Sequence, residues 1–249
     1  MTHYIPNCAV PLVFESEFEG TPYGMAGTGF LLQSQSGFFF LTAKHGLQLG
    51  DHDRLRVPRS FASTELLELG QFGHPTWPEG MEDTDWLDLA AFSVVPVEFG
   101  RDGDRHALEP AFLSNTDTRL LLQVGVILTV RGFPAAAPQG GIDFERKRIS
   151  MQALECDAKF LGLTESQGCY QLQFVATCPI EDFNYMSGSP VFAKLPVKSG
   201  GFLYVLVGVL LRASGPDRRG RFVSIEVFKR CIRYYSDPTA HPESPVCKD

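Results

Sequence analysis

Three short segments of this chain each carry one reactive side chain among small or apolar neighbours. His45 ends the segment LTAKH, Asp88 begins the segment DLAAF, and Ser187 lies within the segment MSGSP. A serine hydroxyl becomes an effective nucleophile when a base removes its proton, and that base needs a third group to fix its tautomer. In this order, the three residues could supply the general base, the orienting carboxylate and the nucleophile of an acyl transfer.

Each of these residues also has an ordinary structural interpretation. A single histidine after a strand often caps that strand, and a Ser-Gly pair is common in turns. Asp88 could cap a turn while Asp83 or Asp85 orients the base, and Ser189 competes with Ser187 as the nucleophile. The occurrence of all three motifs in this order favours the catalytic interpretation, because few orders of such a triad are known.

The motifs and their neighbours resemble those of the trypsin-like serine peptidases. Residues 27–32 (GTGFLL) look like the Gly-Ser/Thr-Gly-Phe strand of that family, and residues 42–45 (TAKH) look like its Thr-Ala-x-His strand end. Residues 88–90 (DLA) are similar to its Asp-Leu-Ala segment, and residues 186–192 (MSGSPVF) to its nucleophile segment. Residues 206–209 (LVGV) resemble the strand beside the bound substrate. Each match is weak alone, whereas all of them in register make a specific signal.

The resemblance implies an all-β fold of two six-stranded antiparallel Greek-key barrels followed by a C-terminal α-helix. The first barrel, residues 1–117, would carry His45 and Asp88, and residues 118–235 would form the second barrel and the helix, with Ser187 in that barrel. The resemblance also implies a serine endopeptidase with this catalytic triad. Such an enzyme hydrolyses the peptide bonds of a protein or peptide substrate through an acyl-enzyme and needs no cofactor.

The loop before Ser187 departs from the family pattern at two positions. Active relatives usually have glycine two residues before the nucleophile, in a backbone conformation that is costly for a residue with a Cβ atom, whereas this chain has Tyr185. The backbone N–H groups of Tyr185 and Ser187 would form the oxyanion hole. Met186 replaces the aspartate that binds a newly formed N-terminus in secreted zymogens, so that activation switch is absent.

These departures leave three interpretations open. The chain is a peptidase with a formed oxyanion hole, an effector that an activating protein partner or the ordering of a loop switches on, or a pseudoprotease that binds peptides through the same cleft. The intact triad of His45, Asp88 and Ser187 favours an enzyme, whereas Tyr185 favours the binding module.

Three charged residues are candidates for the substrate pocket: Glu181, Asp182 and Arg212. In the family, an acidic residue six positions before the nucleophile would select a basic side chain, and Glu181 lies there with Asp182 beside it. A buried carboxylate that faces a cation discriminates strongly against neutral side chains. Arg212 could neutralise that carboxylate or attract acidic substrates instead. On balance, the pattern favours a basic side chain before the cleaved bond.

Short runs rich in β-branched and aromatic residues, separated by Gly, Pro, Asp and Ser, predict the elements that position these residues. The predicted strands are residues 9–14, 27–33, 38–43, 54–58, 64–69, 89–95, 120–130, 148–163, 168–177, 190–194, 202–212 and 221–225. Residues 226–235 have the apolar spacing of an amphipathic helix. Residues 100–118 read as the connection between the barrels, residues 135–148 as a mobile loop, and the proline-rich residues 236–249 as a flexible tail.

Composition excludes several classes of partner. A net charge of −7 opposes a nucleic-acid interface, because affinity for phosphate depends on Lys and Arg. No stretch approaches the ~18 apolar residues of a membrane-spanning helix. Residues 51–53 (DHD) lack a second pair of metal ligands, and residues 27–29 (GTG) lack the further glycine and helix of a dinucleotide site. We therefore expect no metal, no nucleic-acid partner and no membrane association.

The first residues and the cysteines suggest a compartment. The opening sequence MTHYIP lacks the basic start and the apolar run of a secretory signal. Gly46 follows His45 where secreted relatives usually have a cysteine, so the corresponding disulfide cannot form. We expect a cytoplasmic bacterial protein with reduced cysteines. Stand-alone relatives of this kind are sometimes components of phage-defence systems.

Overall fold

The computed structural model describes residues 4–19, 21–35, 37–47, 52–59, 66–76, 88–94, 111–135, 140–143, 148–166, 168–236 and 246–248. Most of these residues lie in β-strands. The strands of the N-terminal half are β1 (Ala9–Glu15), β2 (Tyr23–Ser34), β3 (Gly37–Ala43), β4 (Leu55–Pro58), β5 (Leu66–Glu68), β6 (Phe72–Thr76), β7 (Leu89–Ser93) and β8 (Ala111–Phe112). The C-terminal half has β9 (Ile127–Gly132), β10 (Gly140–Asp143), β11 (Arg148–Met151), β12 (Leu154–Leu163), β13 (Cys169–Phe174), β14 (Pro190–Pro196), β15 (Phe202–Ser214), β16 (Arg219–Ser224), helix α1 (Ile225–Ser236) and β17 (Val246–Lys248).

The C-terminal half contains a closed antiparallel barrel of six strands, in the order β12, β13, β16, β15, β14 and β9. Alternate residues of each strand point into it, because successive side chains of a strand face opposite sides. Three rings pack together inside: the centroid of Tyr170 is 5.6 Å from that of Phe160 and 5.3 Å from that of Phe222. The predicted second barrel of six antiparallel strands is therefore confirmed.

The N-terminal half is a curled, open sheet rather than the predicted closed barrel. Its nine strands follow the order β17, β6, β7, β3, β2, β1, β4 and β5, with β8 pairing with β2 off this path. A barrel closes when its first and last strands pair. Here β17 pairs with β6 at one edge of the described sheet, and β5, with three residues, forms the other edge. In the described residues, these two edge strands do not pair with each other. The prediction of two closed barrels is wrong for the described residues, and the Greek-key order stays a prediction.

Part of the predicted tail forms a strand. The three residues of β17 pair antiparallel with β6, where Val246 lies opposite Thr76 and Lys248 opposite His74. Because its backbone groups bond to a neighbouring strand, this part of the C-terminus is paired rather than flexible. The preceding residues 237–245 and the last residue of the predicted tail, 249, lie outside the described residues.

The two halves pack on each other through a shared hydrophobic core. Phe30 and Leu41 of the N-terminal sheet contact this core from one side, and Phe192 and Leu206 of the barrel contact it from the other. Phe228 of α1 packs against the same core. Strands β2, β3, β14 and β15 thus bury both faces, because the opposite faces fill the separate cores of the sheet and the barrel. This contact surface sets the relative position of the two halves.

Helix α1 spans Ile225–Ser236 and confirms the amphipathic helix predicted at residues 226–235. Ile225, Val227 and Phe228 form its buried face. Glu226 and Lys229 hold its first turn against the segment between the halves: Glu226 Oε1 accepts a 2.9 Å hydrogen bond from Thr118 and a 2.6 Å bond from Lys229 Nζ. No helix within the described ranges is long and apolar enough to cross a bilayer.

Element boundaries differ from the prediction in several places. The predicted strand 120–130 is a 3-10 turn (Thr118–Leu121) followed by β9, and the predicted strand 148–163 divides into β11 and β12. The predicted loop 135–148 contains β10, which pairs with β11. Strand β6 is missed by the prediction because Gly73 and Pro75 lie within it, and both residues weaken a strand signal.

A disulfide joins Cys156 of β12 to Cys178, with their Cα atoms 5.1 Å apart. Both residues are buried in the barrel core. The expectation of reduced cysteines is wrong for this pair. The sequence could not indicate it, because six cysteines can pair in many ways and only the barrel brings these two together.

Candidate active site

The register of two neighbouring strands brings His45 and Asp88 to one end of the N-terminal sheet. Strands β3 and β7 are antiparallel, and Ala43, the last residue of β3, lies opposite Leu89, the first residue of β7. His45 follows in the 3-10 turn Lys44–Gly46, and Asp88 directly precedes Leu89. Since the chain leaves β3 and enters β7 at the same end, the two polar residues meet there. The buried Ala43 and Leu89 anchor them.

The carboxylate of Asp88 accepts two hydrogen bonds from His45. Its Oδ2 is 2.6 Å from the imidazole Nδ1, and its Oδ1 is 2.6 Å from the backbone nitrogen of the same residue. The side chain of Asp88 is 11% exposed and that of His45 is 40% exposed, so the ring reaches solvent while its partner is largely covered. A carboxylate at Nδ1 keeps a proton on that nitrogen and leaves Nε2 as the proton acceptor.

Ser187 lies in a tight turn that leads into β14. The N–H of Ser189 donates a 3.0 Å hydrogen bond to the carbonyl of Met186, which closes the turn. Gly188 has φ +89°, and a Cβ atom there would lie 1.9 Å from the carbonyl oxygen of Thr28. Glycine is therefore required for both conformation and space. The hydroxyl of Ser187 makes no hydrogen bond with a described residue, including His45.

Thr28 of β2 holds the loop before Ser187 through its backbone and its hydroxyl. Its N–H donates a 3.0 Å bond to the carbonyl of Ser187, and its Oγ1 donates a 2.7 Å bond to the carbonyl of Tyr185. The same Oγ1 accepts a 3.0 Å bond from the N–H of Phe133. Thr42 Oγ1 in turn donates a 2.7 Å bond to the Thr28 carbonyl. A single buried residue thus links the sheet to the nucleophile loop.

Tyr185 has the left-handed backbone that was expected to favour glycine at this position. Its φ is +68°, which costs a residue with a Cβ atom about 1–2 kcal/mol. Neighbours hold the peptide groups on both sides: the carbonyl of Asn184 accepts a 3.0 Å bond from the N–H of Ala135, and the Tyr185 carbonyl is held by Thr28.

The orientation of these peptide groups leaves two donors unused. Because N–H and C=O point in opposite directions across a trans peptide, the contact of the Asn184 carbonyl with Ala135 turns the Tyr185 N–H away from that contact. Neither this N–H nor the N–H of Ser187 donates to a described residue. Two neighbouring backbone donors without partners are what an oxyanion hole needs.

Met186 anchors the same loop from inside the barrel. Its side chain is fully buried in the barrel core, and its N–H donates a 3.0 Å bond to the carbonyl of Phe183. Phe183 is also buried and stacks on Phe174 with ring centroids 4.4 Å apart. The loop is therefore held by apolar contacts at the position where zymogens of the resembled family use an ion pair.

His45 and Ser187 line one cavity of about 500 Å³. Tyr185, which belongs to the candidate oxyanion hole, and Ala135, whose N–H holds the Asn184 carbonyl, line it as well. The other described lining residues are Ala26, Thr42, Ala43, Gly46, Phe183, Asn184, Arg212 and Ala213. The candidate base, the candidate nucleophile and a residue with a candidate oxyanion donor thus line a space large enough for a peptide side chain and the bond next to it.

The three charged residues predicted for the substrate pocket lie in different surroundings. Arg212 lines the cavity. Glu181 and Asp182 are exposed and are not among its described lining residues. Asp182 instead binds Asn184, whose N–H donates a 2.9 Å bond to its Oδ1. The structure therefore brings the cation, rather than the two carboxylates, to the cavity.

Two residues of this site have no role in the sequence-based assignment. Thr28 belongs to a matched strand motif, but nothing in its type indicates that its hydroxyl holds a loop far along the chain. Ala135 begins a segment predicted as a mobile loop, and its contribution is a backbone N–H that any residue except proline would supply. Thr28 and Ala135 both bind backbone groups that are distant in sequence. Their residue types therefore do not indicate which groups they bind.

Known proteins add no family assignment to this geometry. No protein-family model matches the chain, and no curated protein is similar enough to match it. Within the described ranges, no group of three His, Cys, Asp or Glu side chains could hold a metal ion. The chemistry of the site is therefore inferred from its own atoms.

Proposed function

We propose that the protein is a serine endopeptidase with a Ser187–His45–Asp88 triad. The observation that carries the proposal is that Ser187 and His45, whose imidazole binds Asp88, line one cavity. Tyr185 lines the same cavity, and the backbone N–H groups of Tyr185 and Ser187 donate to no described residue. Similarity of the motifs to trypsin-like serine peptidases supports it. The closed barrel packed on a curled sheet is compatible with the fold of that family.

In the proposed reaction, Ser187 Oγ attacks the substrate carbonyl carbon while His45 Nε2 takes the hydroxyl proton. The carbonyl oxygen becomes an oxyanion, which the N–H groups of Tyr185 and Ser187 stabilise. His45 then gives the proton to the leaving amine as the C–N bond breaks, and an ester on Ser187 remains. Water, deprotonated by His45, hydrolyses that ester and restores the serine. Asp88 keeps the ring oriented throughout.

The substrate would bind as an extended strand along β15. Pairing of β14 with β15 ends at Pro190 opposite Val209, whereas pairing of β15 with β16 continues to Ser214 opposite Arg219. One backbone edge of the last residues of β15 is therefore left without a described partner strand, next to Ser187. An exposed strand edge is a common template for peptide binding.

Covalent labelling with a fluorophosphonate probe tests the proposal, because the probe phosphonylates only an activated serine. We expect labelling of the wild type and none of Ser187→Ala. Ser189→Ala is the matched control: its hydroxyl is buried without a hydrogen-bond partner, and the variant should label like the wild type. Labelling that survives Ser187→Ala and disappears in Ser189→Ala would overturn the assignment of the nucleophile.

The alternative is a module that binds peptides in the same cleft without cleaving them. The absence of a hydrogen bond between Ser187 and His45 favours it. A wild-type protein that does not label alone or in a lysate, yet binds peptides, would establish this function. Labelling that occurs only in the lysate would instead identify a peptidase that a protein partner activates.

A further inference from the structure

Arg212 is a cation without a partner in the catalytic cavity. It is exposed, and its side chain makes no hydrogen bond or ion pair with a described residue. By contrast, Arg56 binds Glu15 at 2.7 Å, and Arg119 binds Asp117 at 2.6 Å. Among the described residues that line the cavity, Arg212 carries the permanent charge.

The carboxylates that are close in sequence to the lining residues of the cavity do not neutralise Arg212. Asp88 is bound to His45 through both oxygens. Asp182 accepts hydrogen bonds from Asn184 at 2.9 and 3.2 Å, and Glu181 is exposed outside the described lining. Arg212 therefore lines the cavity, and no described residue uses the donors of its guanidinium.

Arg212 also lies on the segment where an extended substrate would add. It belongs to the part of β15 that continues past the end of β14 pairing, and the strand is bulged between Leu210 and Arg212. Leu210 exchanges backbone hydrogen bonds with the turn after the nucleophile: its carbonyl accepts from Gly188 and its N–H donates to Ser189. The substrate residues just N-terminal to the cleaved bond would therefore pass Arg212.

We propose that Arg212 makes this protein select peptides with an acidic side chain among the residues just before the cleaved bond. This inference rests on the proposed peptidase function and reverses the basic preference expected from Glu181 and Asp182. A guanidinium presents several N–H donors in a planar fork that matches the two oxygens of a carboxylate. Glutamate or aspartate in the substrate would bind it, and lysine or arginine would be repelled.

A charge-assisted hydrogen bond at a partly exposed site corresponds to a preference of roughly 10–100-fold. We expect the ratio of kcat/KM for a glutamate peptide over its glutamine analogue to fall in this range. The uncharged analogue is the right comparison because it has the same length and shape, so the ratio reports the charge alone.

The test is a library of peptides with Glu, Gln or Lys at each of the four positions before the cleaved bond, incubated with the full-length protein. Cleavage is compared for wild type, Arg212→Gln and Arg212→Glu. Arg219→Gln is the matched control, since this exposed arginine on β16 is not among the described lining residues. We expect Glu preference in the wild type and control, its loss in Arg212→Gln, and Lys preference in Arg212→Glu.

The outcomes separate this inference from the proposed function. Fluorophosphonate labelling without an acidic preference at any of the four positions would overturn the inference and leave the peptidase standing. An acidic preference that persists unchanged in Arg212→Gln would overturn it too. No labelling and no cleavage under any condition would overturn the peptidase and the substrate preference together.

Discussion

Thr28 Oγ1 donates a 2.7 Å hydrogen bond to the carbonyl oxygen of Tyr185, two residues before the candidate nucleophile. A strand of the N-terminal sheet thus fixes a peptide group of the loop that carries the candidate oxyanion donors. Tyr185 keeps a left-handed φ of +68° because this bond and the bond from Ala135 to Asn184 hold the peptide groups on either side of it. The chain has no need of glycine there as long as both contacts persist.

Replacing Thr28 by valine should lower turnover. Valine has the same shape but removes the bonds to Tyr185 and Phe133, so the peptide group that follows Tyr185 loses its contact. The left-handed backbone of Tyr185 then loses one of its two supports, and the orientation of the neighbouring N–H groups is less well fixed. Loss of one oxyanion donor lowers kcat by roughly 10²–10³-fold, which is the upper bound for this variant. Thr28→Ser keeps the hydroxyl and should retain most activity. A drop in kcat at constant KM in the valine variant, with recovery in serine, supports positioning, and equal rates in all three proteins would exclude it.

Replacing Asp88 by asparagine should impair the base without unfolding the protein. An amide at Oδ2 no longer holds the proton on His45 Nδ1, so the wrong tautomer accumulates, and turnover should fall by roughly 10⁴-fold. Circular dichroism should be unchanged. Asp217→Asn, which removes an exposed carboxylate that is not among the described residues lining the cavity, should keep the wild-type rate. An Asp88→Asn protein with wild-type activity would refute the orienting role.

Replacing Gly188 by alanine should destabilise the fold by more than the cost of placing a Cβ atom on a residue with positive φ, because the Cβ atom would also clash with the backbone. Gly200→Ala is the matched control, because Gly200 has φ +86° with nothing within 4 Å of an added Cβ, whereas at Gly188 the Cβ would lie 1.9 Å from Thr28 O. We expect a loss of about 1–2 kcal/mol of unfolding free energy at Gly200. A clash with backbone adds to this at Gly188, by typically 1–3 kcal/mol or more. Urea unfolding measures both, and equal losses would show that the turn relaxes freely.

Breaking the disulfide should lower stability. Cys156 and Cys178 are 22 residues apart in the sequence, and cross-linking a loop of this size stabilises a fold by about 3 kcal/mol. The double variant with alanine at both positions should unfold at a lower urea concentration than the oxidised wild type. Reductant should lower the midpoint of the wild type and leave the variant unchanged. A wild type that does not respond to reductant would mean that the pair is not oxidised.

Asp117 should make stability depend on acidic pH. Its hydrogen bonds from Arg119 lower the pKa of the carboxyl from 3.8 to about 2. A carboxyl with a lowered pKa in the folded state stabilises it above pH 4, and this contribution is lost as the pH falls through 2. Because the pair is partly exposed, the contribution is below about 1 kcal/mol. Asp117→Asn should therefore unfold slightly more easily at pH 7 and like the wild type at pH 2, and a constant difference would contradict this.

The strand ends that bear the candidate triad were predictable from the sequence, because each motif is local. An apolar run such as residues 38–43 predicts a buried strand, and the polar residue after it must lie at the strand end. The amphipathic helix follows from the same kind of pattern, whereas the six-stranded barrel was expected from the resemblance of the motifs to a known family. The pairing of β3 with β7, which joins His45 to Asp88, lets both strands bury their apolar side chains in the same core.

Contacts between residues far apart in sequence decided the remainder. The left-handed backbone of Tyr185 depends on a hydrogen bond from the Ala135 N–H and on one from the Thr28 hydroxyl. Neither residue type indicates that it binds this loop. The edge of the N-terminal sheet at β6 is completed by β17, which comes from the far end of the chain. Arg212, rather than Glu181, reaches the cavity because a bulge and the end of strand pairing set the course of β15. Sequence determined the chemistry of the candidate residues, since that resides in side-chain type, and tertiary structure alone decided which of them meet, since that depends on long-range packing.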